Sequence, residues 1–177
     1  FAMPRLASFL EQNGPWSQLV TLNNIKIHRL NKSVKQVLSE QLSIEPLLVP
    51  HRDEFSETVG YIIEGPSKKA LFIPDIDKWN LWDQSIISLI KQVDYAFVDA
   101  TFYDQRELPN RDMSEIPHPF VVESMALFKG LDQADKSKIY FIHMNHSNPM
   151  LNPDSPATST VLKAGYHIAR KGMSFEL

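Results

Sequence analysis

Four apolar runs in this chain end in the same way, each followed at once by a side chain that could bind a metal or move a proton. "LLVPH" closes on His51, "LFIPD" on Asp75, "AFVDA" on Asp99 and "YFIH" on His143. Imidazoles and carboxylates carried at the ends of rigid strands, on one rim, are what a nitrogen/oxygen metal site or an acid–base pair requires. His118, in "HPFVVESMALF", adds a histidine just ahead of an expected helix, where free backbone N–H groups favour an anion. His146 follows His143 within "IHMNHSNPM", in the turn before Asn148 and Pro149. Any one of these residues alone reads as a turn-former or a satisfied polar group. The repeated run-then-ligand pattern is what points to a site.

The elements that must position these residues are read from periodicity and punctuation. Pro4 to Gln12 place Leu6, Phe9 and Leu10 at helical spacing, and "NGP" ends that helix. "SQLVTL" and "IKIHRL" alternate around Asn23-Asn24 and predict a hairpin. Val34 to Leu38 and Leu42 to Val49 fit either period, with alternation favouring a strand that stops at Pro50-His51. "TVGYIIEG" and "KKALFIPD" read as two more strands. Leu81 to Val93 then predict a helix, "DYAFVDAT" a short buried strand, and residues 102–116 a polar loop long enough to form a lid or rim. Pro119 is a good first helical residue, so a helix is expected from His118 to Gly130; "KIYFIH" is another buried strand. "GYHIARKGMSFEL" predicts a final hairpin through Lys171-Gly172. Strands early, then alternating strands and helices, imply a sheet with helices on one face. His28 and His167 read as structural or exposed, Arg52, Glu54 and Glu57 as a solvated loop, and Trp79 and Trp82 as packing beside the rim.

Composition narrows the function classes. The 177 residues are the size of one domain. Lys and Arg number 18 against 21 Asp and Glu, a formal charge of -3 with no basic stripe, so nucleic acid is not an expected partner. With no cysteine, disulfides, thiolate metal sites and a cysteine nucleophile are excluded, and any metal must sit on histidine and carboxylate. The apolar runs are far shorter than the roughly 20 residues of a membrane span. The opening "FAMPRLASFLEQNGPW" has no basic segment followed by an apolar block and a cleavage site. The expected compartment is the cytoplasm.

The stretches "VPHRDEFSETVGYIIEG", "LFIPDIDKW", "DYAFVDATF", "HPFVVESMALF" and "YFIHMNHSNPML" resemble, in order, the second half of a metallo-β-lactamase-fold protein. "NGPWSQLV", "IHMNHSNPML" and "GMSFEL" are closest to the coenzyme PQQ biosynthesis protein B group, with a looser likeness to tRNase Z and cyclic phosphodiesterases. The resemblance implies an α/β (α+β) fold, a metallo-β-lactamase-like αββα sandwich of which 1–177 would form the C-terminal part as a single domain. It implies His51, Asp75 and His143 as metal ligands, Asp75 bridging two ions, with Asp77 as the alternative if the register is off by two. It implies Asp99 and His118 as the acid and the histidine that assist a leaving group, and it gives His146 a substrate-facing or supporting place.

The family's H-x-H-x-D-H segment is absent, and no H-x-H occurs in the chain. The chain is therefore expected to be a portion of a longer protein, inactive by itself and a weak binder of metal; sub-micromolar affinity abolished by His143→Ala would refute this. For the intact protein the implied cofactor is one or two divalent ions, zinc first, with manganese or iron as alternatives. The implied reaction is attack of metal-bound hydroxide on an ester, amide or phosphodiester. The alternative is a non-catalytic or oxygenase-like carrier of a quinone-type metabolite in PQQ biosynthesis. A small molecule is the expected substrate, no membrane is involved, and a homodimer is compatible with the sequence. An isolated half-domain would also be prone to aggregate through its uncovered face.

Overall fold

The computed structural model describes residues 1–177, leaving out only the side chain of Ser114. In chain order the elements are helices α1 (Pro4–Gln12) and α2 (Trp16–Thr21), strands β1 (Gln36–Ser39), β2 (Leu42–Leu48), β3 (Val59–Glu64) and β4 (Lys69–Ile73), α3 (Ile86–Lys91), β5 (Tyr95–Asp99), α4 (Val121–Leu127), α5 (Gln133–Lys136), β6 (Ile139–Ile142), α6 (Pro156–Lys163) and β7 (His167–Ile168). The strands form one mixed sheet in sequence order. β1 to β4 pair antiparallel, and β4 to β7 pair parallel. Among the described residues, no helix is long and apolar enough to cross a membrane.

The parallel strands need crossovers, and the helices supply them on one face. Leu71, Ile73, Ala96, Val98, Ile139, Phe141 and Ile168 of the sheet share a core with Ile86, Leu89 and Ile90 of α3, Val121 of α4, Phe128 just beyond it, and Val161 of α6. Burying one such aliphatic or aromatic side chain contributes about 1.5–3 kcal/mol, so this layer holds the sheet in place. The opposite face carries Tyr61, Phe72, Phe97, Tyr140 and His167 in a single cross-strand row. Phe175 from the tail packs on it, its ring centroid 4.8 Å from that of Phe97, 4.9 Å from Tyr140 and 5.2 Å from Tyr95.

Three expected elements differ. The hairpin around Asn23-Asn24 is not formed: residues 16–21 are helical, Asn23 turns the chain at φ 58°, and the stretch 25–30 makes only one isolated bridge, Ala2 to Arg29. None of the α2 side chains is fully buried, so the alternation of "SQLVTL" had no sheet face to select it. The C-terminal hairpin is replaced by β7, parallel to β6, after which the tail crosses the aromatic row instead of pairing back. α4 begins at Val121 and not at Pro119, because Phe120 is the extended cap residue and the Glu123 carboxylate accepts its N–H at 2.9 Å. α6 has no counterpart among the expected elements; Ser155 caps it by accepting the N–H of Thr158, with Pro156 in the first turn.

Trp79 and Trp82 do pack beside the rim, donating their indole N–H groups to Ser124 Oγ and to the Leu48 carbonyl. His167 stacks on Tyr140, while His28 is exposed against Phe1, off any strand. Glu57, expected in a solvated loop, instead accepts the Arg5 backbone N–H in the first turn of α1, where the helix dipole favours a carboxylate.

Candidate metal centre

Two chain reversals give β2 the same direction as β4, and β5 and β6 run parallel to β4. The carboxyl ends of these four strands therefore lie on one rim, and a repeated pattern in the sequence becomes a cluster in space. The carboxyl edge of a parallel sheet is also where such folds place their ligands. Asp77 N–H donates to the Pro50 carbonyl at 2.7 Å, tying the loops after β2 and β4 together and setting His51 beside Asp75. Val121 and Val122 donate their N–H groups to the carbonyls of Phe102 and Tyr103, which brings the entry of α4, and with it His118, against the end of β5. His143 follows β6 directly, with φ 63°, in the left-handed region that a histidine seldom occupies.

Asp75, Asp99, His118 and His143 each offer a ligand atom within 4.8 Å of the others. His51 joins them through Asp75, Nε2 to Oδ1 at 3.2 Å. His118 Nδ1 lies 2.8 Å from Asp99 Oδ2 and 3.4 Å from Asp75 Oδ1. Five of the six singled-out residues thus converge. His146 does not: it is exposed in the turn after β6, outside the cluster. Asp77 is also outside, its Oδ1 accepting the Lys78 N–H at 2.6 Å.

The two carboxylates are in opposite states. Asp99 is fully buried, and its oxygens accept from four donors: Thr101 N–H and Oγ–H on Oδ1, and Ile76 N–H and His118 on Oδ2. A carboxylate so engaged is a fixed anchor with little left for a metal. Asp75 Oδ1, in contrast, is buried and receives no hydrogen bond, and His51 Nδ1 is likewise buried without a partner. A buried acceptor left this way is costly, and a cation beside Asp75 Oδ1 would satisfy it. With two imidazoles and a carboxylate and no thiolate, the donor set suits zinc, manganese or iron.

Four contributors were not among the expected site residues. Thr101 places its hydroxyl at Asp99, His118 and His143 together. Asn148, buried, donates to the carbonyls of Ala100 and Thr101, and Asn145 N–H donates to the latter. Glu107 accepts from Tyr103 N–H and from the Ser147 hydroxyl, joining the long loop to the turn after β6. The asparagines of "MNHSNPM" hold the rim, whereas its second histidine does not. A cavity of about 350 Å³ is lined by Lys78, Trp79, Ile86, Ile87, Leu127 and Pro119, and by none of the five converging residues.

Comparison with known proteins gives a consistent picture. The profile of the Beta-lactamase superfamily domain matches residues 1–144. Coenzyme PQQ synthesis protein B of Gluconobacter oxydans is 29% identical over 126 residues, 68% of this chain and 40% of that protein. The protein of the same name from Pseudomonas putida is 26% identical over 144 residues, 76% of this chain and 46% of its own length. The chain spans less than half the length of these relatives. Zn²⁺-bound PqqB from Methylobacterium extorquens superposes with a TM-score of 0.79 at 19% identity, over 99% of this chain and 64% of that one. A diphosphatase of the PhnP family superposes at 0.56, with 17% identity, over 97% of this chain and 55% of its own. The sheet with its covering helices is the fold of these proteins.

Proposed function

Since the chain belongs to the Beta-lactamase superfamily domain family, we propose that its rim is one side of a divalent-metal centre for hydrolysis in a PQQ synthesis protein B-like protein. The observation that carries the reading is Asp75 Oδ1, buried and without a hydrogen bond, facing His51 at 3.2 Å. His51, Asp75 and His143 would hold the ion, zinc first. A bound ion of this kind lowers the pKa of its water to about 7, supplying hydroxide for an ester, amide or phosphodiester centre. His118 is anchored at Nδ1 by Asp99, which turns Nε2 away from the buried acid to exchange a proton with, or hydrogen-bond, a leaving group.

A second reading is a carrier of an anionic, quinone-like metabolite that uses the same rim without turnover. Saturation of Asp99 favours it, because it leaves this chain His51, Asp75 and His143 as ligands for what the family implies can be a two-ion centre. Calorimetric titration of this chain with Zn²⁺, paired with hydrolysis of p-nitrophenyl acetate and bis(p-nitrophenyl) phosphate by the full-length protein, separates the readings. Hydrolysis predicts weak, saturable Zn²⁺ binding lost in His51→Ala and Asp75→Asn, and turnover lost in His118→Ala with metal binding retained. Binding unchanged in Asp75→Asn overturns the metal centre; bound metal without turnover of either ester favours the carrier.

A further inference from the structure

We infer that Thr101 is a positioning residue that fixes the proton on Nδ1 of His143, and secondarily of His118, so that His143 offers Nε2 to a metal. The inference deepens the metal-centre reading and rests on it.

Thr101 Oγ lies 2.7 Å from Asp99 Oδ1, 3.1 Å from His143 Nδ1 and 3.2 Å from His118 Nδ1. A hydroxyl has one proton to give and lone pairs to receive with, while an ionised carboxylate only accepts. The shortest of the three contacts is to the fully buried carboxylate, so the Thr101 proton goes there. What remains on Thr101 Oγ is acceptor capacity, and a nitrogen that approaches it must bring a hydrogen. Nδ1 of His143 therefore carries the proton, and its lone pair is on Nε2. The Nδ1–H of His118 is shared between Asp99 Oδ2 at 2.8 Å and Thr101.

The hydroxyl cannot easily reorient. The Thr101 side chain is buried, its own N–H also donates to Asp99 Oδ1, and its carbonyl accepts from Asn145 N–H and Asn148 Nδ2. The turn after β6 thus grips the backbone of the residue that orients the histidine at the head of that turn. Ligating histidines in metal sites have their second nitrogen held by an outer partner of this kind, and removing the partner lowers metal affinity by about 10–100-fold.

Long-range ¹H–¹⁵N correlation spectra of the ¹⁵N-histidine-labelled chain, recorded without metal and above the imidazole titration range, read the tautomer directly. Wild type and Thr101→Ser are expected to show His143 with Nδ1–H, and Thr101→Val is expected to shift it toward Nε2–H, with Zn²⁺ affinity about 10-fold weaker. His143 as Nε2–H in the wild type overturns the inference whether or not Thr101→Val folds. An unchanged tautomer in a folded Thr101→Val overturns it as well. The expected tautomers in a chain that fails to bind Zn²⁺ support the role of Thr101 and count against the metal-centre reading.

Discussion

Asp75 Oδ1 lies 3.2 Å from His51 Nε2 and 3.4 Å from His118 Nδ1, yet neither ring donates to it in hydrogen-bond geometry. Twenty-four residues further along the chain, Asp99 sits at the same rim with every oxygen occupied. One carboxylate is saturated by hydrogen bonds within the protein, and the other has an oxygen that accepts none.

This asymmetry predicts opposite consequences of the same substitution. Asp75→Asn changes a part-exposed side chain whose Oδ1 accepts no hydrogen bond, so the metal-free variant should melt no lower than wild type. Zn²⁺ at about 100 times its dissociation constant should stabilise wild type by about 2.7 kcal/mol. At about 2–4 °C per kcal/mol for a chain of this size, that is a rise of roughly 5–11 °C, absent in the variant. Thermal melts with and without Zn²⁺ check both arms.

Asp99→Asn replaces an acceptor of four hydrogen bonds with a group that must point N–H toward donors. Hydrogen bonds to charged groups are worth about 1.5–3 kcal/mol each, and loss of a buried charged partner costs about 3–5 kcal/mol. The metal-free variant should unfold at least 3 kcal/mol more easily in urea, which a denaturation curve measures.

The long loop carries its own pH dependence. The Arg106 guanidinium, donating to Asp104 at 3.0 Å through Nε, holds that carboxyl below the usual aspartate range. A depressed folded-state value means stability present above the ordinary aspartate pKa and lost as pH falls through the lowered one. The Arg106 amide, which donates to Asp104 Oδ1 at 2.8 Å, should report this titration by NMR with a midpoint below that of exposed aspartates. In Arg106→Ala the midpoint at residue 104 should return to the ordinary range.

Phe175 covers part of the aromatic row, contacting Tyr95, Phe97 and Tyr140 edge-on. Phe175→Ala should leave that face open, raising binding of a dye such as ANS and promoting self-association on size-exclusion chromatography. A variant with wild-type dye binding and elution would show that the tail contributes no cover.

Much of the site could be read from the residues, for a geometric reason. Strands β4, β5 and β6 are buried through one face and read as apolar runs, and they share a direction with β2, so a ligand after each run lands on one edge. The sheet with helices on one face followed from the same alternation. What could not be read depends on partners remote in sequence. Thr101 is an ordinary residue type whose role arises from contacts 2, 17 and 42 positions away. α2 and the tail misled because short alternation has meaning only against a sheet, and Phe175 chose the face of the sheet over its edge. His146 lies outside the cluster, because spacing from His143 says nothing about which way a turn presents its side chains.

The left-handed backbone at His143 bears on how any mutant there is to be interpreted. Alanine at 143 would lose the imidazole and also strain the turn, since that conformation costs most L-residues about 1–2 kcal/mol. Asparagine accepts it readily, so His143→Asn is the variant whose phenotype reports the ring alone, and the difference between the two substitutions measures what the turn itself contributes.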